Sequence, residues 1–513
     1  MPSPAKPMLL VAGVDVPTGT LPTFPVNCRS SENVNYFRTP LMFLKALTGE
    51  TVSQWPIADL NMCMSAIEVC DAAQPVWEQV RPAEKRAIFL RAAELVQSPE
   101  YSRRIQEAME SETSAHLNWI NVNIQGSVGL LREAAAQAGA LKGEHVISES
   151  PTCQMFITQR RAAGVVLAIS PWNSPILLAF RAVAIPLICG NTVVLKTSEY
   201  SPACGRIAVD ILLQAGLPRK VISYLTFDRD SAPPLTASMI AHPAIKRVNF
   251  TGSDFIGRKI AQQCGAELKQ CVLELGGSAP TVVFADSDLR QAAKAIISGG
   301  MLHGGQICMS TERVFVEDSA AQELFGELKS VAKTWLESPA GAQRGKVSVI
   351  PPLLTLDAAK RVTNLVVNAI HQGATDLLSA KPTNTGQLTV EPSILVNVES
   401  TMDISRREIF GPGLSSSPPD SRSVANRKVF RQVITVTTFK GELEAIKLAN
   451  ESPYSLIASL WTRDVQQAMR VAPQIHSGSV QVNGSTIHSE PAFGLAGLGG
   501  SSGYGRFNVD SVR

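Results

Sequence analysis

Two stretches of the chain alternate short apolar runs with helical segments, and this alternation restricts the possible folds more than any other feature. In the first stretch we predict buried strands at 165–169, 192–196, 221–225 and 247–250, and helices at 176–187, 202–215 and 255–264. In the second we predict strands at 281–284, 313–316, 433–438 and 480–483, and helices at 289–298 and 320–336. Strands that alternate with helices form parallel sheets covered by helices. We therefore expect an α/β protein with two doubly wound open parallel sheets, the first of which binds a nucleotide at the carboxyl edge of its strands.

Composition excludes several classes of protein. A chain of 513 residues is too long for one small core, and its 45% hydrophobic content is that of an ordinary globular protein. A net charge of +3 gives no reason to expect a nucleic-acid partner. Nine scattered cysteines without a C-x-x-C pair predict free thiols, no bound metal and a cytoplasmic location. We find neither a secretory leader nor an apolar stretch long enough for a membrane.

Three short runs carry candidate chemistry. Cys308 follows two glycines in 304–309, Glu274 precedes the glycine pair of 274–277, and Asn173 follows an apolar strand in 170–173. Each has an ordinary alternative: a buried cysteine is usually a small core residue, a glutamate at a strand end is usually solvated, and an asparagine before a helix is often its cap. Together they supply a nucleophile, a base for water and an oxyanion donor, which is the set that covalent catalysis requires.

These runs resemble signatures of the aldehyde dehydrogenase superfamily. The resemblance extends over about 45–510 and is carried by 165–199, FTGSDFIG at 250–257, ELGG at 274–277, GGQICMSTER at 304–313 and EIFGP at 408–412. It implies the family fold, with a small oligomerisation sheet beside the two large ones. It also implies an NAD-binding domain at 45–142 and 162–273, a catalytic domain at 274–475 and oligomerisation or bridging segments at 143–161 and 476–513. Residues 1–44 are then an irregular N-terminal extension.

The resemblance implies NAD-dependent oxidation of an aldehyde to its acid through a thiohemiacetal and a thioester on Cys308. Asn173 would donate to the oxyanion, and Glu274 would activate the water that releases the acid. The segment around Cys308 is most similar to the branch that acts on salicylaldehyde, vanillin and benzaldehyde. The residues expected to line an apolar pocket for an aromatic ring are Arg181, Ile307, Met309 and Phe493.

The same resemblance identifies cofactor residues. Lys196 and Glu199 would reach the adenosine ribose, Gly252 and Gly257 the pyrophosphate, and Glu408 and Phe410 the nicotinamide ribose and ring. Trp172, Ser253 and Leu275 complete this expected set. Because the Glu199 carboxylate would repel a 2′-phosphate, we expect NAD as the cofactor, with NADP less favoured. The remaining cysteines, including Cys264 and Cys271, are interpreted as structural.

Two departures from the family pattern stand out. Residues 413–432 are polar and rich in Ser, Pro and Arg, and they separate the EIFGP segment from the next apolar strand. We expect a disordered insertion there and hypothesise that it is translated intron; a spliced transcript that encodes 415–431 would refute this. The chain also stops at Arg513, where family members usually add a final strand that joins a partner's sheet. We expect a homodimer or homotetramer, weakened by this short end.

Two other functions remain open from the sequence. A coenzyme-A-acylating relative would resolve the thioester with a thiol, although Glu274 argues for water. A catalytically impaired member that acts as a binding or scaffold protein is favoured by the insertion beside Glu408. The expected partners of the leading candidate are a small-molecule aldehyde and further copies of the same chain, with no nucleic acid and no membrane.

Overall fold

The computed structural model describes residues 8–17, 41–44, 51–147, 149, 155–337, 356–378, 392–399, 401–406, 408–409, 433–488, 490–492 and 494–507. The predictions for Phe410, Phe493 and the insertion at 413–432 lie outside these residues.

The first large sheet contains eight strands of the described chain, in the spatial order β19-β11-β10-β7-β8-β9-β1-β2. Their bounds are β1 Met8–Val11, β2 Val14–Pro17, β7 Val165–Ser170, β8 Thr192–Thr197, β9 Ile222–Leu225, β10 Ile245–Thr251, β11 Gln270–Glu274 and β19 Gly503–Tyr504. The five central strands are parallel, and β1, β2 and β19 are added antiparallel at the two edges. The predicted strands at 165–250 are therefore confirmed, with only small shifts in their ends.

Eight helices belong to this half of the described chain. They are α1 Leu60–Gln79, α2 Pro82–Val96, α3 Pro99–Thr113, α4 Leu117–Gln137, α5 Pro175–Ile188, α6 Pro202–Gln214, α7 Ala232–Ala241 and α8 Asp254–Ala266. Thirteen of the fourteen residues of α5 are buried, because this helix is covered by the sheet on one side and by α4 and α6 on the other. A helix that is apolar all round is the expected result of such burial.

The second large sheet contains seven strands of the described residues, ordered β14-β15-β16-β13-β12-β17-β18. The strands are β12 Ala279–Val283, β13 Thr311–Glu317, β14 Thr375–Asp376, β15 Ser393–Val396, β16 Val433–Phe439, β17 Ala458–Trp461 and β18 Val480–Val482. The helices are α9 Leu289–Met301, α10 Ala321–Glu337, α11 Leu356–His371, α12 Asp403–Arg406, α13 Glu442–Asn450 and α14 Val465–Val471. Apart from β14, its strands are parallel, as the alternating pattern predicts.

Two small antiparallel sheets complete the architecture that the structure describes. One pairs β3 Leu41–Leu44 with β4 Thr51–Trp55, and the other pairs β5 Glu144–Ile147 with β6 Met155–Thr158. The second of these lies in 143–161, where the family resemblance predicts a small sheet. Side chains on it are strongly exposed, with Phe156 at 54% and Ile157 at 72%.

Strands form near both ends of the described chain. Residues 8–17, expected to be irregular, form β1 and β2 at the edge of the first sheet, where Leu10 pairs with Tyr224 and is fully buried. Within the segment from 476, for which the resemblance implies an oligomerisation or bridging role, β18 joins the second sheet and β19 joins the first. Short strands at the edge of a large sheet have too few residues to give a clear alternation in the sequence.

The two large sheets meet end to end around the candidate site. Strands β7, β8, β10 and β11 deliver the residues that follow their carboxyl ends. In the second sheet, however, the site segments precede β12 and β13, at the amino ends of these strands. Segments of the candidate site therefore follow the carboxyl ends of strands in the first sheet and precede the strands of the second sheet, because there the chain passes through the site before it enters the sheet.

Candidate active site

Glu274 is the last residue of β11, and its side chain is 1% exposed. Its Oε2 accepts a hydrogen bond from the guanidinium of Arg181, which lies on the buried helix α5 and also donates to Thr251 Oγ1 at 3.0 Å. Its Oε1 is buried and has no hydrogen-bond partner among the residues that the structure describes. The alternative of a solvated strand-end glutamate is wrong, and one oxygen of this carboxylate is left to accept a proton.

The glycine pair after Glu274 brings this strand end against the cysteine loop. A Cβ at Gly277 would overlap the carbonyl oxygen of Cys308, and a Cβ at Gly276 would overlap the carboxylate of Glu408. The Gly277 N–H donates to Glu408 Oε1 at 2.9 Å, and Ser502 Oγ donates to the Gly276 carbonyl at 2.7 Å. Only residues without a side chain allow this approach, which explains the glycines beside Glu274.

Cys308 is delivered by a sharp turn after α9. His303, Gly304 and Gly305 have φ values of 49°, 71° and 69°, in the left-handed region that glycine adopts freely. His303 is held in this conformation by packing: its ring stacks on Trp119 with centroids 5.6 Å apart, and its carbonyl accepts from Gln306 Nε2 at 3.0 Å. Burial lowers the pKa of His303 to about 3, so its ring is neutral near pH 7.

Asn173 lies directly beside this loop. Its Nδ2 donates to the Gln306 carbonyl at 3.0 Å, and its own carbonyl accepts from Trp119 Nε1 at 2.7 Å. Because Gln306 is two residues before Cys308, the amide is fixed close to the thiol. No Asn173 side-chain cap was found on α5, so the capping alternative is not realised.

The Cys308 thiol has a pKa well above its ordinary value. Burial is the largest cause, the negative charge of Glu274 is the second, and the positive charge of Arg181 acts in the opposite direction. The structure therefore brings the predicted nucleophile, base and amide together, but with Cys308 as a protonated thiol near pH 7. A base must remove its proton. Glu274 is the carboxylate whose charge raises the pKa of this thiol most.

The expected adenosine site lies at the carboxyl end of β8. Lys196 is 9% exposed, and its Nζ lies 5.9 Å from the centre of the Phe227 ring. Burial lowers the pKa of Lys196, and the nearby charge of Glu199 raises it. Among the residues that the structure describes, no carboxylate forms an ion pair with Lys196, so its buried ammonium retains donors that the hydroxyls of a ribose fit.

The expected pyrophosphate site is the start of α8. Ser253 caps this helix by accepting from the Ile256 N–H at 3.4 Å, and the Gly252 N–H donates to the Glu274 carbonyl at 3.1 Å. Gly257 differs from the expectation: it faces Leu275, whose methyl groups a Cβ would overlap, and it allows α8 to pack closely on the strand end. The N-terminus of a helix is a position at which backbone N–H groups bind phosphate groups, as the expected pyrophosphate contact requires.

The expected substrate residues divide into two groups. Ile307 is 3% exposed and Met309 is partly buried, both within apolar clusters. Arg181 instead forms the ion pair with Glu274, and its guanidinium lies 4.9 Å from the centre of the Phe507 ring. Trp172, assigned to the cofactor, is 9% exposed and lies 6.1 Å from the His303 ring.

Several contributors to this site were missed in the sequence. Three of them take no part in the predicted reaction, but each holds a neighbouring residue in place: Gln306, Trp119 and Glu312. Glu312 is buried and accepts from the Ile409 N–H at 3.0 and 3.1 Å, which fixes the segment that carries Glu408. Gln306 and Glu312 lie within the cysteine run itself, so their position was the available signal.

The described part of the chain lacks a cluster of metal ligands and a membrane-spanning helix. It holds no group of three or more His, Cys, Asp or Glu residues arranged for a metal ion. Its helices include none with the length and apolar character needed to cross a bilayer.

Comparisons with known proteins agree with this geometry. The model of the aldehyde dehydrogenase family matches residues 38–419 and 413–512. A vanillin dehydrogenase from Pseudomonas sp. strain HR199 is 38% identical over 463 residues, which cover 90% of this chain and 89% of that protein.

Solved structures give the same result. A salicylaldehyde dehydrogenase from Pseudomonas putida G7, complexed with salicylaldehyde, has a TM-score of 0.83 and 32% identity, with 92% of each chain covered. A NAD-dependent benzaldehyde dehydrogenase from Corynebacterium glutamicum has a TM-score of 0.79 and 28% identity, covering 93% of this chain and 94% of that one. With the buried Glu274 beside Cys308, these matches show that the chain belongs to the aldehyde dehydrogenase family of oxidoreductases that act on the aldehyde group.

Proposed function

We propose that this protein oxidises an aromatic aldehyde to its carboxylic acid with NAD, through covalent intermediates on Cys308. The observation that carries the proposal is the meeting of a thiol, a buried carboxylate with one unpaired oxygen and a fixed side-chain amide at one strand end. Separately each residue has an ordinary structural role; together they form a nucleophile, a base and an oxyanion donor.

The first step is activation of Cys308. Its raised pKa leaves the thiol protonated near pH 7, and among the carboxylates it is Glu274 whose charge raises that pKa most. Within the described part of the chain, Glu274 Oε1 has no hydrogen-bond partner and can accept this proton, while Arg181 donates to Oε2. The thiolate then attacks the aldehyde carbon, and the new oxyanion of the thiohemiacetal accepts from Asn173 Nδ2 and the Cys308 N–H.

The second half of the reaction also depends on Glu274. Bound NAD would supply the hydride acceptor that converts the thiohemiacetal into a thioester. Glu274 then takes a proton from water, whose oxygen attacks the thioester carbon, and the Cys308 sulfur leaves as the acid is released. The same oxygen of Glu274 serves both halves, provided that it passes its first proton to solvent.

The cofactor assignment follows from the residues at the carboxyl edge of the first sheet. Lys196 and Glu199 would hold the adenosine ribose, Gly252 and Ser253 the pyrophosphate, and Glu408 the nicotinamide ribose. Structures with this fold include both NAD-dependent and NADP-dependent enzymes. We favour NAD because a 2′-phosphate would meet the Glu199 carboxylate, and we expect kcat/KM to favour NAD by about tenfold, or about 1.4 kcal/mol.

An aromatic substrate is supported by the relatives and by the apolar residues beside the thiol. The proteins most similar in sequence include vanillin and salicylaldehyde dehydrogenases. Ile307 and Met309 flank Cys308 and would present apolar surface to a ring.

We also propose a homo-oligomer of cytoplasmic subunits. The sheet of β5 and β6 presents exposed Val146, Phe156 and Ile157, which a second copy would cover. The proposed domains are 45–142 with 162–273 for the cofactor and 274–475 for catalysis. The free thiols of the described cysteines support a reducing compartment.

One assay tests the function. Purified protein is mixed with benzaldehyde and NAD, NADH absorbance is followed, and parallel reactions contain NADP or added coenzyme A. We expect NADH and benzoate without coenzyme A, and slower reduction of NADP. A requirement for coenzyme A would identify an acylating enzyme, whereas binding of NAD without turnover of several aromatic aldehydes would favour the scaffold alternative.

A further inference from the structure

The proposed oxyanion donor belongs to a closed ring of four residues that contact one another: Trp119, Asn173, His303 and Gln306. Trp119 Nε1 donates to the Asn173 carbonyl at 2.7 Å, and Asn173 Nδ2 donates to the Gln306 carbonyl at 3.0 Å. Gln306 Nε2 donates to the His303 carbonyl at 3.0 Å, and the His303 ring stacks on the Trp119 ring. These contacts join helix α4, the turn before α5 and the turn that carries Cys308. Asn173 is therefore held both by its backbone and by its side chain.

The ring of contacts also fixes which atom of the Asn173 amide faces the Gln306 carbonyl. Nδ2 carries two hydrogens, and one of them is used on this carbonyl. With the amide reversed, Oδ1 would lie against another oxygen, and the two partial negative charges would repel each other. Oδ1 is buried and accepts no hydrogen bond from a described residue. The orientation in the structure leaves the second hydrogen of Nδ2 for the oxyanion of the thiohemiacetal.

His303 combines three unfavourable features. Its φ of 49° lies in the left-handed region, it is 2% exposed, and neither ring nitrogen has a hydrogen-bond partner among the described residues. Each feature costs free energy, and such a residue persists only where the surrounding structure requires it. Because no described residue bonds to its nitrogens, the ring contributes through its faces. It lies nearly parallel to the Trp119 ring, at 15°, and its centroid is 6.1 Å from that of Trp172.

We propose that Trp119 and His303 are positioning residues for the oxyanion donor Asn173. Trp119 fixes the Asn173 backbone through its indole N–H, and the His303 ring holds that indole against the turn that carries Cys308. Both act through the Asn173 amide, whose Nδ2 must lie within hydrogen-bond distance of the new oxyanion. The inference rests on the proposed aldehyde oxidation, in which Asn173 is that donor.

The test uses a reaction that needs the thiol and the oxyanion donor but no cofactor. Once its proton has passed to Glu274, the Cys308 sulfur attacks the carbonyl carbon of p-nitrophenyl acetate. The carbonyl oxygen becomes an oxyanion, and p-nitrophenolate leaves as the thioester forms. Stopped-flow absorbance of p-nitrophenolate gives the acylation rate. Trypsin cuts after Lys294 and Arg313, so the mass of peptide 295–313 shows that Cys308 is the acylated residue. A parallel burst assay with NAD and benzaldehyde measures the proposed oxidation.

Trp119→Phe removes the indole N–H and should slow both acylation reactions about tenfold, or about 1.4 kcal/mol, which is the scale of one hydrogen bond. Asn173→Ala should slow them about a hundredfold. Adding Trp119→Phe to Asn173→Ala should then slow acylation less than about twofold, because the amide that Trp119 positions is already gone. Equal effects of Trp119→Phe in the two backgrounds would overturn the proposal, since a purely structural role does not depend on the Asn173 amide.

Trp77→Phe is the matched control. Trp77 is as buried as Trp119, with both at 2% exposure, and its Nε1 donates to the backbone carbonyl of Leu187 at 2.9 Å. The two substitutions should lower the stability in urea by similar amounts, while Trp77→Phe leaves both acylation rates unchanged. An equal loss of acylation rate in the two variants would attribute the effect to stability and would contradict the positioning role.

Two variants of His303 separate the ring from its nitrogens. Asparagine adopts the left-handed region readily but has no ring, and phenylalanine keeps a flat ring without nitrogens. We expect acylation to slow about fivefold in His303→Asn, as for the loss of one aromatic pair, and to slow less in His303→Phe. The reverse order would show that the nitrogens matter more than the stacked ring and would refute its role.

The two assays separate failure of this inference from failure of the proposed function. Acylation by the ester without NADH from benzaldehyde or other aromatic aldehydes would contradict the proposed oxidation, and the ester rates would still decide the positioning roles. If the ester does not acylate 295–313 in the unsubstituted protein, neither the donor role of Asn173 nor its positioning by Trp119 and His303 stands.

Discussion

Glu274 and Glu112 are both glutamates removed from water, at 1% and 5% exposure, but their carboxylates are satisfied in opposite ways. Both oxygens of Glu112 accept backbone hydrogen bonds at the start of α6, from Ala203 N at 2.7 Å and Cys204 N at 3.0 Å. One oxygen of Glu274 accepts from Arg181, and no described residue donates a hydrogen bond to the other. Burial alone therefore does not mark a functional carboxylate; the unpaired oxygen does.

The two environments also differ in what holds the charge. Glu112 receives neutral backbone dipoles, and burial raises its pKa to about 7 despite them. Glu274 is paired with a full positive charge on the neighbouring helix α5. A carboxylate that must be ionised near neutral pH needs such a counter-charge when it is buried. The comparison predicts that Glu274 affects turnover and that Glu112 affects stability.

The largest expected effect concerns the thiol that Glu274 serves. Cys308→Ala should lower aldehyde oxidation by at least about a thousandfold, because loss of a sole nucleophile ordinarily costs many orders of magnitude. Binding of NAD, followed by protein fluorescence, should be nearly unchanged. A variant that keeps more than about a tenth of the activity would remove Cys308 from the mechanism and leave Glu274 without its role beside the thiol.

Glu274→Gln should reduce steady-state turnover by about a hundredfold or more, since general-base catalysis commonly contributes this much. The amide has the size of the carboxylate but cannot accept a proton. We expect rapid mixing with NAD and benzaldehyde to give a burst of one NADH per active site, slowed because Gln cannot take the Cys308 proton. Still slower turnover should follow, which an added strong nucleophile partly restores.

The matched control is Glu112→Gln, the same substitution at a buried glutamate outside the site. Its burst and steady-state rates should stay close to those of the unsubstituted enzyme. If Glu274→Gln loses the burst itself while it binds NAD normally, Glu274 acts before the thioester forms. Activation of Cys308 would then be its main role, and the assignment to thioester hydrolysis would be wrong.

Arg181→Met should destabilise the protein by about 3–5 kcal/mol, because it leaves the charge of Glu274 buried and unpaired. Arg181→Lys retains the positive charge and should lose less. Urea unfolding of both variants at pH 7 measures the difference. The double variant Arg181→Met, Glu274→Gln should recover part of the stability; no recovery would show that Arg181 stabilises the fold through its Phe507 contact and not through Glu274.

The smallest expected effect is a change in the pH dependence of stability at Glu112. Its pKa rises from 4.5 in the unfolded chain to about 7 in the folded protein, so the folded state holds a proton that the unfolded state has lost between these values. This contribution to stability is complete below about pH 4.5 and is lost as the pH rises through about 7. Glu112→Gln cannot release the proton.

The free energy of unfolding, measured in urea from pH 5 to pH 8, should therefore fall more steeply in the unsubstituted protein than in Glu112→Gln. The difference in slope should approach about 1.4 kcal/mol per pH unit near pH 5–6, where one proton separates the two states. Other titrating groups contribute to both proteins and cancel in the comparison. Parallel curves would show that backbone donors keep Glu112 ionised throughout. Glu112 and Glu274 would then differ only in the hydrogen bonding of their second carboxylate oxygen.

The sequence by itself determined the alternating elements, because apolar periodicity is set by local contacts between a strand or helix and its sheet. It also identified the three short runs that carry candidate chemistry. Asn173, Glu274 and Cys308 each lie close to glycines or prolines, which mark turns where a side chain can enter a site. The family resemblance assigned roles to these residues. The interpretation of Arg181 as a pocket residue came from the same source, and no local pattern in α5 indicates its ion pair.

Only the tertiary structure decided which charges meet. The Arg181–Glu274 pair joins residues 93 positions apart, and the bonds from Glu112 to the start of α6 span 91 and 92. The short strands β1 and β19 likewise form because they pair with β9 and β11, since their own few residues give no clear pattern. Such contacts depend on the order of the strands in the sheet and on the position of α5 across them. The local sequence around each residue does not indicate that arrangement.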